Sequence, residues 1–487
     1  MIKDHPEGLK VLFLTEMWER MSYYGMRGLL VLFMTASLTD GGLDFDNMSA
    51  SAIYGIYASA VYLVALPGGW IGDRILGQQK AILIGGIIIS LGHFTLVLPS
   101  LNTFYLGLLF VVLGTGLLKP NISAIVGGLY EQNDSLRDSG FTLFYMAINI
   151  GSILGFFICG YLGEKVGWHY GFGAAGLGML FGLFQFITNK NKLNKVGYLP
   201  VINNSEKKQK RDIILVLSCI ATIFIISASG LMGLWVLDPV PLAKILSLII
   251  TGITVFYFIY ILTYGKLSIE EFRRVILIIF LFFGAALFWS GFDQAGSSFN
   301  IFAYEYTDRN ILGWQYPASW LQILNPVFVV ILSPFMAAMW MFLGKKMMNP
   351  NLPFKFGMGL IFMAIGFLII AFAAELALRQ NLVGAQWLLL TYLFHTIGEL
   401  MISPIGLAAI SRLSPKRFIG QMMGVWFLAS SLGAIIAGIL SGEATELGLQ
   451  SMPSLFNKVF LISSISGLTL ILISKHLSNW ALNKNKA

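Results

Sequence analysis

The feature that most restricts the fold is a succession of fourteen apolar runs, each near the roughly 20 residues that an α-helix needs to cross a bilayer. The first six are Leu9–Leu38, Ser49–Ile71, Lys80–Leu98, Thr103–Tyr130, Ser139–Gly163 and Trp168–Thr188. A polar segment, Asn189–Arg211, follows with seven Lys/Arg residues. Two uniformly apolar runs come next, Ile213–Leu237 and Leu242–Tyr264, then a charged link, Gly265–Arg274. The last six are Val275–Ala303, Tyr316–Leu343, Phe354–Leu378, Gln386–Leu413, Phe418–Ser441 and Leu455–Ile473. A mean hydropathy of +0.76 and 11% charged residues, against roughly 25% in soluble domains, agree with this reading. The expected fold class is an all-α integral membrane protein with 14 transmembrane helices.

The pattern six, two, six predicts two six-helix bundles and an inserted helix pair. The expected divisions are residues 1–189, residues 190–274 for the basic linker with the extra pair, and residues 275–487. The +8 formal charge is then no sign of nucleic-acid binding, because Lys and Arg must be read by loop. With a cytoplasmic N-terminus, only Lys165, Lys244, Arg309, Arg379 and Lys458 fall on the outer side, and the outer loop Asp40–Asp46 is acidic. That bias predicts both termini in the cytoplasm of a multi-pass protein of the inner or plasma membrane.

Charges inside the spans are the next constraint. Seven lie away from the span ends: the cations Arg20, Arg27 and Lys119, and the acids Glu16, Glu19, Asp293 and Glu399. At 3.6 residues per turn Glu16, Arg20, Tyr23 and Arg27 share one helix face, flanked by Glu19 and Tyr24. A charge at the bilayer centre costs at least ~2.5–3.5 kcal/mol, so such a stripe must face protein or a wet cavity. An ion-pair set that merely locks helices together is one reading. The second cation and the two tyrosines favour a solute pathway. In two-bundle transporters such a pathway lies near the midplane at the repeat interface, which leaves the uncharged inserted pair peripheral.

The loop Gly69-Trp-Ile-Gly-Asp73-Arg74-Ile-Leu-Gly77-Gln-Gln-Lys80 resembles the second-to-third helix loop of the major facilitator superfamily. Its glycines allow close backbone approach, and Asp73 can cap a helix or meet basic groups. Glu16-x-x-Glu19-Arg20-x-x-Tyr23-Tyr24-Gly25 is similar to the first-helix motif of the proton-dependent oligopeptide transporter family, with Met21 where that family usually has Phe. Gly116-Leu-Leu-Lys119-Pro-Asn-Ile-Ser123 resembles its fourth helix, and Phe144-Tyr145-Met-Ala-Ile-Asn149-Ile-Gly-Ser152 its fifth. In the second half, Phe288-Trp289 with Asp293-Gln-Ala-Gly-Ser-Ser298 is similar to the seventh helix and Asn325-Pro326 to the eighth. Gly398-Glu399-Leu-Met-Ile-Ser403-Pro404-Ile-Gly406 resembles the tenth, and Trp426 with Ser430 the eleventh. The inserted helix pair is what bacterial members carry. Animal members handle protons with a His on the second helix, and none occurs between Ser49 and Ile71, so carboxylates must serve here.

The resemblance implies a proton-coupled symporter of di- and tripeptides working by alternating access. The cations belong to the first bundle, and Asp293 and Glu399 to the second. A zwitterionic peptide would find cations for its carboxylate on one wall and acids for its ammonium on the other. Arg clamps a carboxylate bidentately, whereas Lys is a point charge. Asn149 and Asn325 can donate and accept; Tyr23, Tyr24 and Tyr62 offer hydroxyls and ring faces; Trp289 and Trp426 offer apolar area. Glu16, Glu19, Asp293 and Glu399 are the expected proton-coupling groups. The resemblance implies Arg27–Asp293 and Lys119–Glu399 as ion pairs, which the sequence alone does not show. An acid deprived of its cation in a low dielectric takes up a proton, and that would link peptide binding to protonation.

Each single residue has a plainer reading. His395, one turn before Glu399, can be a packed histidine rather than a relay. Lys119 can snorkel, Asn325-Pro326 can mark a kink, and Asp293 can be a structural acid. No cofactor or metal is expected: the five histidines form no ligand set, and Cys159 and Cys219 lie far apart without CxxC spacing, as inert packing residues. No cleavable signal peptide is expected. The competing readings are a transporter of another amphoteric or anionic solute and a polytopic enzyme. An enzyme would place its polar clusters at the membrane boundary, whereas these are mid-span. The oligomeric state is not legible.

Overall fold

A computed structural model describes residues 5–131, 136–198, 206–234, 238–346 and 348–482. The linker residues 199–205 and the expected end of the seventh run, 235–237, lie outside the described residues. Thirteen helices among the described residues are long and apolar enough to cross a membrane. α1 (Glu7–Thr35), 29 residues long, makes the fourteenth; its charges alone keep it from reading as apolar. The fold is the all-α, fourteen-span membrane architecture expected. Contacts group the chain into two compact units, Met1–Leu29 with Ala60–Leu242, and Leu30–Ser59 with Ala243–Ala487.

The first unit holds most of α1, the later part of α2 (Asn47–Ile71), α3 (Gln78–Leu96), α4 (Leu101–Gly128), α5 (Arg137–Tyr161), α6 (Trp168–Asn189) and α7 (Glu206–Leu231). Lipid is as apolar as Leu, so close backbone packing must substitute for a hydrophobic drive between helices. α3 and α4 show how: a Cβ on Gly85 would come within 2.7 Å of the Gly114 carbonyl, and one on Gly114 within 2.6 Å of the Gly85 carbonyl. Leu9, Leu12, Ile89, Leu118, Phe144 and Phe186 form part of the core that ties α1 and α3 to α6.

The segment Gly69–Lys80, expected as a loop, is mostly helical. α2 runs on through a π-helical turn, Gly72–Leu76, and breaks only at Gly77, whose φ of +79° favours glycine. Asp73 accepts from Gln78 (2.9 Å) rather than from a basic group. Asn121 fixes the turn from below, donating to Gly68 O (3.1 Å) and Leu117 O (2.7 Å), and Gly72 leaves room for its amide. The same device recurs after α5, where Leu162–Val166 forms a π turn that ends at Gly167, φ +153°. The paired strings Gly72-Asp-Arg and Gly163-Glu-Lys therefore mark an internal repeat of this unit. α7 has no buried residue across its apolar window. Cys159 is buried behind Gly25, but Cys219 on α7 is exposed, so only the first is a packing cysteine.

In the second unit are the early part of α2, α8 (Pro239–Tyr264), α9 (Ile269–Phe292), the short α10 (Ser298–Glu305), α11 (Leu324–Lys345), α12 (Leu352–Gln380), α13 (Gln386–Leu413), α14 (Ile419–Thr445) and α15 (Met452–Leu482). The ninth apolar run is not one continuous helix. A 3-10 turn, Asp293–Gly296, separates α9 from α10. Pro326 lies in the first turn of α11, where no intrahelical N–H is missed, so Asn325-Pro326 marks a helix start and not a kink. α12 and α15 meet at Gly357 and Gly467, whose would-be Cβ atoms lie 2.7 and 2.8 Å from each other's carbonyl oxygens. The early part of α2 packs on α14 through Gly55 and Gly438 and through a Ser59–Ser431 hydroxyl contact of 2.7 Å. Two-residue strands decorate two connections, between α10 and α11 and between α12 and α13: β1 (Thr307–Asp308) pairs parallel with β4 (Val383–Gly384), and β2 (Asn310–Ile311) antiparallel with β3 (Trp314–Gln315).

Candidate functional site

On α1 the side chains of Glu16, Glu19 and Arg20 are buried to within 2% of complete. Arg20 Nε lies 3.1 Å from Glu16 Oε1 and also pairs with Glu19, so one guanidinium serves two carboxylates. Gly151, inside the fifth-helix signature, makes the room: a Cβ there would come within 2.8 Å of Arg20 Cβ. The guanidinium stands 5.1 Å from the centre of the Tyr23 ring, which meets Tyr24 edge to face at 5.2 Å. Arg27 lies 6.0 Å over Tyr24, whose ring also touches Phe156. On α4, half-buried Lys119 places Nζ 4.9 Å over the Tyr62 ring and within electrostatic reach of Glu16, Glu19, Arg20 and Arg27. Tyrosine faces thus stabilise all three cations by their ring quadrupoles. Three cations against two acids leave this set one positive charge in excess. Asn149 is buried on α5 and spends its amide N–H on its own helix, at Tyr145 O (2.9 Å).

The second unit gathers a different set. Asn325 Nδ2 donates to Glu399 Oε2 (2.9 Å) and to Thr396 Oγ1 (3.0 Å), joining the first turn of α11 to α13. Thr396 donates in turn to Tyr392 O (2.7 Å). No Lys or Arg nitrogen of this unit lies within 4.0 Å of Glu399 among the described residues. Asp293, 2% exposed at the end of α9, is its electrostatic neighbour. Trp289 packs edge-on to Phe288 and Phe292 at 5.6 and 5.3 Å, and Gly433 of α14 lets that helix approach it. Trp426 is buried against Gly406 and Phe356, and Ser430 is buried one turn further along α14. His395 is enclosed by Phe299 (5.6 Å), Phe367 (5.1 Å) and Gly366, a packed ring.

The structure therefore brings Glu16, Glu19, Arg20, Tyr23, Tyr24, Arg27, Tyr62 and Lys119 into one cluster, and Asn325 with Glu399 into another. Sequence reading missed three partners. Ser22 meets buried His93 of α3 at 2.9 Å, Thr15 donates to Gln185 of α6 at 2.9 Å, and Thr396 completes the Asn325 pair. His93 had one available signal, a lone histidine within an apolar run. No set of three metal-capable side chains occurs among the described residues.

Comparison with known proteins adds three findings. The POT family profile matches residues 79–459. The chain is 40% identical to the peptide transporter YePEPT of Yersinia enterocolitica, over 96% of this chain and 94% of that one. It is 36% identical to the di-/tripeptide transporter of Lactococcus lactis subsp. cremoris, over 96% and 95%. Among solved structures, a peptide transporter POT in complex with sulfate superposes with a TM-score of 0.90 at 35% identity, covering 99% of this chain and 96% of that one. A POT family transporter in complex with 5-aminolevulinic acid gives 0.89 at 32% identity, covering 98% of each.

Proposed function

The chain belongs to the POT family, and from that premise we propose that it is a proton-coupled symporter that imports di- and tripeptides by alternating access across the cell membrane. The observation that carries this reading is the division of charge: a cation-rich, tyrosine-backed set in one unit, and an acid held by a neutral amide in the other. Arg20, Arg27 and Lys119 take the peptide carboxylate, with Tyr23, Tyr24, Tyr62 and Asn149 around the peptide bonds. Glu399, with Asn325 beside it, takes the ammonium. Trp289, Trp426 and Ser430 contact the variable side chains. Because recognition is of ends and backbone, side-chain tolerance is broad.

Coupling uses Glu16, Glu19, Asp293 and Glu399. A peptide carboxylate that draws Arg27 from Asp293, or Lys119 from Glu399, leaves an acid without its cation, and such an acid holds a proton more tightly. One charge moving through ~100 mV supplies about 2.3 kcal/mol to the cycle. The moving bodies are the bundles of residues 1–189 and 275–487, with 190–274 as a peripheral linker and helix pair. Both termini face the cytoplasm, as the bias of Lys and Arg toward one set of loops supports. The chain is a transporter and no chemical step is assigned to it.

The 5-aminolevulinic acid complex of a relative favours one second reading, uptake of another small amphoteric solute. Uptake of labelled dialanine into proteoliposomes under an imposed pH gradient separates the two. Accumulation that follows the gradient and is blocked by excess dipeptide, but not by 5-aminolevulinic acid, is the expected result. Accumulation indifferent to the gradient would remove proton coupling, and block by 5-aminolevulinic acid alone would favour the second reading.

A further inference from the structure

One buried cation of the second unit has no place in the transport scheme. Lys355 lies in the first turn of α12 with 8% of its surface exposed. Its Nζ stands 4.0 Å from the centre of the Trp340 ring on α11. Among the described residues of this unit no carboxylate lies within 4.0 Å of it, and no side-chain acceptor binds it. Its charged neighbour is a like charge, Arg412, in the last turn of α13. The acids that open α9 are engaged elsewhere: Glu270 with Arg274 at 3.7 Å, and Glu271 with Arg417 at 3.2 Å.

A lysine whose stem is buried and whose ammonium meets no counter-charge gives up part of its hydration, and a ring face recovers only part of that cost. The α12 N-terminus adds the positive end of a helix dipole, with Asn351 accepting from Phe354 N (3.0 Å) as its cap. Exposed Lys345 and Lys346 at the end of α11, and Lys416 just past α13, extend the positive surface. One side-chain cation therefore stands over an indole at a helix N-terminus, with a second cation as its charged neighbour and no acid of the unit within 4.0 Å among the described residues. The location selects the anion. Helix ends with Trp and Lys side chains are the level at which a membrane protein meets headgroups, and basic clusters beside spans attract anionic lipids.

We propose that Lys355, over the face of Trp340, and its neighbour Arg412 hold the phosphate of an anionic phospholipid of the phosphatidylglycerol type. Lys355 Nζ donates to the phosphate oxygens from the buried side. Arg412 closes on them from the exposed side, and the acyl chains lie along the apolar surface of α11. The site is set apart from the substrate residues by sequence position and by chemistry, since it offers no group for an ammonium.

Native mass spectrometry of the full-length detergent-solubilised protein tests this without any transport readout, so its failure and that of the transport reading are separable. The probes are phosphatidylglycerol, phosphatidylcholine of the same chains, and inorganic phosphate. Wild-type protein is expected to retain one phosphatidylglycerol and no phosphatidylcholine. Lys355→Gln is expected to weaken retention about fivefold, the scale of one basic contact with an anionic lipid surface. Lys355→Arg keeps it, and Lys80→Gln, in the other unit, leaves it unchanged. Arg412→Gln alters an exposed side chain, and it is expected to weaken retention about twofold to threefold. If Lys355→Gln does not fold, Arg412→Gln decides. Undiminished retention in the folded variants overturns the site, and displacement of the lipid by an equal concentration of inorganic phosphate overturns its assignment to a lipid.

Discussion

Glu16 and Glu19 in the first unit share the guanidinium of Arg20, whereas Glu399 in the second is held by the amide of Asn325 with no cation of its own unit within 4.0 Å. The first arrangement sets one guanidinium against two carboxylates, and Arg27 and Lys119 bring the set to one positive charge in excess, which it presents to a ligand. The second holds its acid in position by a neutral donor, so its charge can be met by a proton or a ligand without dismantling the unit. Fixed cations and a changeable acid are the two properties that coupling a zwitterion to a proton requires.

Removing the shared cation is the most severe way to break this comparison. Arg20→Gln leaves two buried carboxylates facing each other, and loss of one partner of a buried pair costs ~3–5 kcal/mol. Dialanine uptake should vanish and the Tm of the purified protein should drop. Wild-type uptake and Tm in this variant would mean the pair is not structural. Next, Gly151→Ala crowds Arg20 Cβ and should cost ~1–3 kcal/mol, whereas Gly252→Ala, with open space around it, should leave Tm unchanged.

Glu399→Gln sharpens the other side. The new amide still accepts from Asn325, so Tm should hold. Uptake driven by a pH gradient should fall about tenfold or more (~1.4 kcal/mol on the barrier), while counterflow of dialanine, which loses only the charge on the ammonium contact, should fall less. Equal loss of both activities would make Glu399 a binding group alone. The smallest effect is expected outside the membrane, at Asp46, which caps α2 by accepting from Ser49 N (2.8 Å). Partial burial pushes its carboxyl up, but the hydrogen bonds from Ser49 outweigh that and hold it below the ordinary aspartate value of 3.8. A depressed folded-state value means stability that is present above the unfolded value and lost as pH falls through the folded one. Melting curves below about pH 4 should therefore show an acid loss that Asp46→Asn lacks, since Asn caps as well as Asp to within a few tenths of a kcal/mol.

Much of the candidate site was legible because its residues are costly where they occur. Charges in apolar runs stand out in one dimension, and the shared face of Glu16, Arg20, Tyr23 and Arg27 follows from helical period alone. The packed state of His395 and the position of Lys119 near the α1 stripe also agree with the sequence reading. The helical course of Gly72–Leu76 was not legible, because glycines allow a loop and a π turn alike. The place of Asn325-Pro326 at the junction of a 3-10 turn and α11 was not legible for a related reason, since Pro suits both a kink and a first turn. His93 and Thr396 escaped notice because a single polar residue carries no sign of the partner it will meet.

Hydropathy and loop charge by themselves determined that fourteen helices cross a bilayer and which of them carry ionisable groups, since both properties accumulate along the chain. Only the tertiary structure decided which donor each acid meets. Ser22 and His93 are 71 residues apart and Asn325 and Glu399 are 74 apart, and no periodicity along a helix encodes which neighbour will face it. The placing of Lys355 over Trp340 belongs to that second class: it is a property of two packed helices, not of the string that contains it.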